Sequence, residues 1–419
     1  MAKRYKQLVG ESLNSNDALS SGLRPLPTEI TSFASTQAAW RFYKNDSVTL
    51  QKLQEPLLQA AHDNAVTHCK DYALIIHDWS RLNYRKHQSK LDKYQISHET
   101  DVGYDLQSSL LISDKTGLPL APVALRLVTA KGSYSSYQNN ALDESVASHL
   151  DEVTTCIDYL QQQAFAKPLV HIIDREADSI GHIRQWQENG YLWLTRAKDH
   201  TTVTFEEQTL TCRMIANSLS FNKIREVNYH GKSQWQWVAE AKIVITRHAH
   251  VRKNQKRTTV AGKPVEARLV VSRVMSDAGT ILAQWVLITN VQGVDANEIA
   301  LWYYWRWKIE SFFKLLKSAG QNLESWQQET GLAIAKRLLV VSMACVLVWE
   351  IAAAKNEETR SLRTFLIKLS GRQMKWGVEF TNPALLAGLW VFLSMLEMME
   401  SYSPEDLAVL RKTAKSFFG

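Results

Sequence analysis

Two short apolar runs in the first half of the chain each lead to an aspartate. Residues 73–77 precede Asp78, and residues 169–173 precede Asp174. Runs of this length that are rich in Ile and Val are typical of buried strands rather than helices. Because α/β folds place their sites at the carboxyl ends of such strands, the two aspartates are predicted to mark one functional edge of an α/β sheet.

The segments between and after these runs predict further elements of the same sheet. Residues 106–112 and 118–128 predict two strands that are joined by a hairpin loop. A helix is predicted from about residue 145 to 164, before the second apolar run. Beyond Asp174, the polar residues 175–179 are suited to cap a helix that ends near residue 189.

A long stretch of about 201–290 separates this region from the C-terminal third. It is much longer than one strand and one connection require, so it is predicted to be largely an insertion. Residues 234–238 alternate between polar and apolar, and 267–274 and 285–289 are rich in strand formers. The insertion is therefore predicted to be β-rich.

Charged and aromatic residues in the C-terminal third are spaced for one face of a helix. On an ideal helix, five of them fall within an arc of roughly 80°: Tyr303, Arg306, Glu310, Lys314 and Lys317. Apolar residues occupy the opposite face, which would pack against a core. A single carboxylate among three cations and a phenol suits a divalent metal beside a phosphate backbone. The alternative is a solvated face with ion pairs between residues four apart.

Two strand-end aspartates and one helix glutamate together predict a metal site. Asp78, Asp174 and Glu310 could hold two divalent metals about 4 Å apart, the arrangement for in-line displacement at phosphorus. Each aspartate taken alone is more often a strand-end or cap residue than a ligand. The combination with the helix face favours the metal site.

Asp78, the segment 174–178 and the spaced helix residues resemble the insertion sequence 4 family of DDE transposases, in order from about residue 26 to 320. The resemblance implies an α/β fold with a ribonuclease-H-like catalytic core, a β-rich insertion, and flanking helical N- and C-terminal regions. It implies Asp78, Asp174 and Glu310 as catalytic residues that bind Mg²⁺ or Mn²⁺, with two ions per active site. It also implies DNA contacts from Tyr303, Arg306 and Lys317, and Lys314 shares their face.

Other candidate DNA contacts lie outside this helix. Trp285 resembles a family tryptophan that accommodates a flipped base, although a core tryptophan is the alternative. Arg196 and Lys198 match family residues of a DNA-facing groove. Arg252 and Lys253 belong to the basic run 247–257, which is predicted to be a hairpin loop that contacts phosphates, the alternative being a solvated loop.

Composition agrees with a nucleic-acid partner. The 419 residues carry a formal net charge of +7, and the sequence pI is about 9.0. Four cysteines without short spacing are typical of reduced thiols in a cytosolic protein. Residues 338–354 are apolar but short and interrupted by Glu350, which favours a core helix over a membrane span. We therefore expect no membrane association and a location in the bacterial cytoplasm, at the nucleoid.

Three regions are expected along the chain. Residues 1–70 are predicted to form a helical DNA-end-binding region, in which Arg41 and Lys44 are candidate phosphate contacts. Family members usually begin further upstream, so this chain is expected to be short at that end. Residues 71–330 are expected to form the catalytic domain, with the insertion at about 201–290. Residues 331–419 are expected to be helical and to support a homodimer that synapses double-stranded DNA ends.

Three functions fit these residues. The first is a cut-and-paste DNA transposase that nicks transposon ends, forms hairpins and transfers strands to target DNA. The second is a transposase-derived DNA-binding protein, which would not need the three acids. The third is a metal-dependent nuclease, which would not need a base-flipping tryptophan. The retained acids and Trp285 favour the transposase.

Overall fold

A computed structural model describes residues 1–14, 29–144, 148–253, 256–318 and 320–418. Its helices are α1 (Ala2–Asn14), α2 (Glu29–Lys44), α3 (Leu50–His68), α4 (His149–Gln161), α5 (Ile180–Glu188), α6 (Cys212–Ser218), α7 (Ala296–Tyr304), α8 (Lys308–Lys317), α9 (Gly331–Ala353), α10 (Glu357–Leu369), α11 (Asn382–Ser401) and α12 (Pro404–Phe418). Its strands are β1 (Ala73–Asn83), β2 (Tyr94–Gln95), β3 (Val102–Ser113), β4 (Pro119–Thr129), β5 (Gly132–Ser135), β6 (Leu169–Ile173), β7 (Leu192–Arg196), β8 (Thr202–Phe205), β9 (Gln208–Thr211), β10 (Asn222–Tyr229), β11 (Lys232–Ile245), β12 (Ala249–Lys253), β13 (Lys256–Val260), β14 (Val265–Met275) and β15 (Ile281–Thr289). Short 3₁₀ turns occur at Arg175–Ala177, Trp305–Trp307 and Leu323–Ser325.

One mixed sheet runs through the described part of the chain. Its main path has the order β5-β4-β3-β1-β6-β7-β15-β14-β11-β8-β9. The strands β1, β6 and β7 are parallel to one another, and β3 and β4 continue the sheet in antiparallel fashion. The apolar residues that predicted β1 and β6 are fully buried, as expected for central strands covered on both faces.

The β-rich insertion extends this sheet. The three sequence segments that predicted strands fall in β11, β14 and β15. Strand β15 pairs antiparallel with β7, and β14 and β11 follow beside it. The strands β12 and β13 form a separate two-stranded ladder. The insertion is thus joined directly to the strands that follow Asp174.

Helices cover the sheet and form both ends of the chain. The helices α3 and α9 pack against β4, while α1 and α11 pack against α9. Within the described residues, two helices, α9 and α11, are long and apolar enough to cross a membrane. Most of α9 is buried inside the protein, so it is a core helix of this fold, as the sequence predicted. The predicted mixed α/β architecture with helical termini is confirmed.

Three predicted elements differ in detail. Strand β1 does not end at Asp78 but continues to Asn83, because it stays paired with β3 after β6 has ended. The predicted helix through residues 303–317 is interrupted by the 3₁₀ turn Trp305–Trp307, which separates α7 from α8. The helix after Asp174 begins only at Ile180, after another 3₁₀ turn.

Candidate active site

The two aspartates lie side by side on neighbouring parallel strands. The last paired residues of β1 and β6 are His77 and Ile173, and the aspartates follow directly. The Asp174 carboxylate accepts a hydrogen bond of 2.6 Å from the Arg175 amide and so caps the turn that follows β6. Asp78 accepts one of 2.9 Å from the next amide of β1. The predicted edge of the sheet therefore carries both acids.

The guanidinium group of Arg306 lies between these two carboxylates. Its Nη1 donates a hydrogen bond of 2.6 Å to Asp78 Oδ2, and its Nη2 lies 3.7 Å from Asp174 Oδ2. The Tyr303 hydroxyl donates a hydrogen bond of 2.9 Å to Asp174 Oδ1. Both side chains are buried. Without DNA, these two predicted DNA contacts therefore bind the carboxylates that are predicted to hold the metal.

The two aspartates respond differently to the same guanidinium. Burial raises the pKa of Asp78 above its usual value, and Glu310 and Asp174 add to this, although Arg306 opposes it. Burial also acts to raise the pKa of Asp174, but Arg306, the Arg175 amide and Tyr303 outweigh it and the pKa is lowered. The Asp78 side chain is also the more buried of the two, at 15% exposed against 34% for Asp174, and only Asp174 accepts the hydrogen bond from Tyr303.

Glu310 stands at the start of α8, which packs against β1. Its side chain is exposed, yet its charge is near enough to raise the pKa of Asp78. Across the described ranges, no three His, Cys, Asp or Glu side chains form a group that could hold a metal ion. The predicted ligands therefore share one edge of the sheet without forming a closed cage in this conformation.

The remaining predicted residues of the helix have separate surroundings. Lys317 donates hydrogen bonds to the Arg81 carbonyl oxygen at 2.5 Å and pairs with Glu324 at 3.1 Å. This anchors α8 to the end of β1. Lys314 is exposed, one turn before the end of α8. Both remain predicted DNA contacts.

Four residues that the sequence analysis did not single out complete this edge. His149 Nδ1 lies 2.8 Å from Glu176, and its Nε2 lies 3.1 Å from Asp105. The hydrogen bonds to Asp105 and Glu176 raise the pKa of His149 to about 10, so the ring is an imidazolium at neutral pH. Its ring stacks on Trp79 with centroids 4.5 Å apart. These four residues line, with Asp78 and Asp174, a cavity of about 430 Å³.

Trp285 lines an aromatic cleft on the other side of the helix. The cleft has a volume of about 610 Å³ and is lined by Asn228, Tyr229, His230, Trp285, Tyr304, Trp305, Trp307, Lys308 and Ser311. Trp285 is partly buried, so it is neither a fully enclosed core residue nor a free surface residue. Trp307 is 51% exposed at the rim. That Trp285 accommodates a base stays a prediction, and the cleft is where such a base would bind.

Arg196 and Lys198 line a polar cleft next to Asp174. This cleft has a volume of about 780 Å³, and Arg175, Arg213 and His200 also line it. Arg196 acts on Asp174 electrostatically and helps to lower its pKa. The two predicted cations therefore share a cleft with Asp174, and both remain predicted DNA contacts.

The predicted contacts at the periphery are not joined to this edge by any contact that the structure describes. Lys44 pairs with Glu329 at 3.0 Å and lies over the Trp40 ring, and Arg41 is exposed on α2. Arg252 and Lys253 belong to β12, but their side chains lie outside the described part of the structure. All four remain predictions.

A family model described as a transposase DDE domain matches residues 70–347. No curated protein matches the chain. Among solved structures, the piggyBac transposase synaptic complex with hairpin DNA resembles it with 9% sequence identity and a TM-score of 0.40, over 98% of this chain and 74% of the other.

Proposed function

Because this chain belongs to the family of proteins with a transposase DDE domain, we propose that it is a cut-and-paste DNA transposase. The family implies polynucleotidyl transferase or nuclease activity. The steps that we propose are strand nicking, hairpin formation and strand transfer at transposon ends. The narrower assignment to the insertion sequence 4 family is supported by Asp78, the segment 174–178 and the spacing of Tyr303, Arg306 and Glu310.

We assign a ribonuclease-H-like core to the catalytic domain, within the proposed range 71–330. The strand order β4-β3-β1-β6-β7 supports this, because β4, β1, β6 and β7 run in one direction and β3 runs in the opposite direction. One observation carries the functional proposal: Asp78 and Asp174 come from adjacent parallel strands and face the same cation, Arg306. Asp78 and Arg306 are 228 residues apart in the chain, and all three residues lie within the region that the family model covers.

The donor chemistry at this edge fits a divalent metal. Carboxylate oxygens are the ligands that Mg²⁺ and Mn²⁺ prefer. The guanidinium of Arg306 already places one positive charge between Asp78 and Asp174, where a metal ion would neutralise them. Asp78, Asp174 and Glu310 are the residues that would hold the ions. When bound, the metal would activate a water or a 3′-hydroxyl and stabilise the leaving oxygen.

The cations and the phenol of this edge would bind and orient the phosphates. A guanidinium binds phosphate in a bidentate manner, but Arg306 is buried against Asp78 and Asp174 and is not accessible to a phosphate outside the protein in this arrangement. We infer that DNA takes Arg306 away from Asp78, and that Tyr303 follows it or keeps Asp174 oriented. Lys314 and Lys317 on α8, and Arg196 and Lys198 across the edge, would hold the flanking phosphates.

The aromatic cleft around Trp285 suits an unstacked base. Extruding a base costs a few kcal/mol, and stacking on aromatic rings offsets this. Trp305 and Trp307, which flank Arg306 in the 3₁₀ turn, both line the cleft. Its aromatic lining supports a hairpin pathway in which a base leaves the duplex.

Exposed apolar side chains at the C-terminal end support a homodimer on DNA. The C-terminal half of α11 and the whole of α12 expose Met399, Val409, Leu410 and Phe417, which are between 52% and 80% exposed. Large apolar side chains that are exposed on one terminal segment are consistent with a protein–protein contact there. Residues 1–70, which include Arg41 and Lys44, are proposed to bind the DNA end.

Strand cleavage of a DNA fragment that carries the element's own end tests the proposal. The fragment would be incubated with Mg²⁺, Mn²⁺ or Ca²⁺ and with two matched variants, Glu310→Ala and Glu298→Ala. Glu298 is an acid of the neighbouring helix that pairs with Arg225 at 3.6 Å, away from the aspartates. Nicking that is lost only in Glu310→Ala supports the metal chemistry, and a hairpin product supports the proposed pathway. Binding without cleavage in every metal favours a DNA-binding protein, and equal cleavage by both variants contradicts the role of Glu310.

A further inference from the structure

The ring of His149 contacts the sequence neighbours of both proposed metal ligands. It stacks on Trp79, which follows Asp78, with an angle of 14° between the ring planes. Its Nδ1 lies 2.8 Å from Glu176, which stands two residues after Asp174. One side chain from the first turn of α4 thus joins the two segments that carry the aspartates.

We propose that His149 is a positioning residue that fixes the spacing of Asp78 and Asp174 for the divalent metal. The inference rests on the proposed function, because it assigns a role toward the metal of that site. His149 touches neither aspartate, so it would act through Glu176, Trp79 and the backbone that connects them to the ligands.

The two hydrogen bonds of the ring restrain its orientation. Nε2 lies 3.1 Å from Asp105 on β3, and Nδ1 reaches Glu176 in the 3₁₀ turn after β6. A ring that is held at both nitrogens and stacked on one face cannot rotate without breaking a contact. The strand β3 is itself paired with β1 along its whole length, so Asp105 is a rigid anchor. The turn that begins at Asp174 is thereby tied to the strand beside Asp78.

The charge of the ring also matters for the acids around it. Asp78, Asp105, Asp174 and Glu176 line one cavity of about 430 Å³. Arg81 lines it too but is paired with Asp101 at 3.2 Å. Without the imidazolium, Glu176 and Asp105 would repel each other, and Glu176 would also repel Asp174. The turn after β6 would then move outward, and the two ligands would no longer face one ion.

His182 provides a matched control on the same side of the protein. It lies 3.1 Å from Asp151 and contacts Ser179 at 2.9 Å, so it too links α4 to the segment after Asp174 through a carboxylate. It contacts neither Trp79 nor Glu176 among the described residues. His182→Ala removes a similar contact between α4 and this segment but keeps the contacts of His149 with Trp79 and Glu176.

Manganese binding to the full chain without DNA tests the proposal separately from cleavage. Free Mn²⁺ would be measured by electron paramagnetic resonance for the wild type and for His149→Ala, His149→Gln, Glu176→Gln and His182→Ala. Removing a group that orients metal ligands typically weakens metal affinity 10- to 100-fold, so we expect about a 10-fold increase in the Mn²⁺ dissociation constant for His149→Ala. Because 40% of the His149 side chain is exposed, added imidazole can enter the space and should restore most of the affinity. His182→Ala, with and without imidazole, should match the wild type.

The outcomes separate this inference from the proposed function. Asp78→Asn and Glu310→Gln are measured beside the histidine variants. If they abolish Mn²⁺ binding while both His149 variants bind like the wild type, the positioning role is wrong and the metal site stands. If Asp78→Asn and Glu310→Gln leave Mn²⁺ binding unchanged, the proposed metal site is wrong. Circular dichroism checks the fold, and His149→Gln and Glu176→Gln replace His149→Ala should the alanine variant fail to fold.

Discussion

Replacing Arg306 by glutamine should destabilise the protein and also make it more responsive to metal. The Arg306 and Asp78 side chains are only 6% and 15% exposed, and their atoms are 2.6 Å apart. Removing one partner of such a buried pair typically costs 3–5 kcal/mol, because the other charge stays buried without compensation. We expect the free energy of unfolding to fall by about 3 kcal/mol in the absence of metal.

Divalent metal should recover much of that loss. In the wild type, a metal ion must displace the guanidinium from Asp78 before it can bind there, whereas in Arg306→Gln the carboxylates are available. A ligand at 100 times its dissociation constant stabilises the folded state by about 2.7 kcal/mol. Metal should therefore stabilise the variant by about 1–2 kcal/mol more than it stabilises the wild type.

Urea unfolding with Mn²⁺, with Mg²⁺ and without metal measures both effects. Arg213→Gln is the matched control, because its pair with Asp199 is exposed and is worth no more than about 1 kcal/mol. Adding Asp78→Asn to Arg306→Gln should abolish the extra response to metal. Equal stabilisation of wild type and Arg306→Gln by metal would refute the competition between guanidinium and ion.

Three further predictions concern DNA and pH. Trp285→Ala should slow hairpin formation more than the first nick, and gel analysis would resolve the two products. Trp376 is fully exposed in the loop before α11, so Trp376→Ala should change neither step. Equal slowing of both steps by Trp285→Ala would contradict base accommodation. Arg196→Gln and Lys198→Gln should each reduce the slope of log binding constant against log salt by about 1 for a duplex of arbitrary sequence, and an unchanged slope would exclude phosphate contact. The pKa of His149 is raised from 6.5 to about 10 on folding, so its stabilising contribution is complete below pH 6.5 and is lost as the pH rises toward 10. The difference in melting temperature between wild type and His149→Gln should therefore shrink across that window, and a constant difference would show that packing alone holds the ring.

The sequence was informative wherever a pattern is local. The apolar runs before Asp78 and Asp174 predicted β1 and β6, since a buried central strand needs nothing but consecutive apolar residues. The neighbouring hairpin and the β-rich insertion followed in the same way from turn residues and strand formers. The extension of β1 to Asn83 could not be predicted in this way, because it depends on pairing with β3, in which the partner of Asn83 lies 20 residues further along the chain.

Contacts that join distant segments were beyond such patterns. Arg306 and Asp78 are 228 residues apart in the chain, and no local spacing reports their hydrogen bond. His149 stands 27 residues before Glu176 in an ordinary helix start, so nothing in its surroundings distinguished it from a cap residue. The cluster Asp174–Asp178 was visible as a polar run, and Glu176 could have been singled out there as a neighbour of a proposed ligand.

The break between α7 and α8 changes the phase of the predicted helix face between Tyr303 and Glu310. A single helix would put Tyr303 and Arg306 on the same arc as Glu310 and Lys314. The turn Trp305–Trp307 is a 3₁₀ helix, which advances by about 120° per residue instead of 100°, so three residues shift the phase by about 60°. Tyr303 and Arg306 are buried against the aspartates, while Glu310 and Lys314 are exposed. The predicted DNA contacts of this region thus differ in their surroundings: Tyr303 and Arg306 are engaged with the carboxylates, Lys317 is paired with Glu324, and Lys314 is exposed.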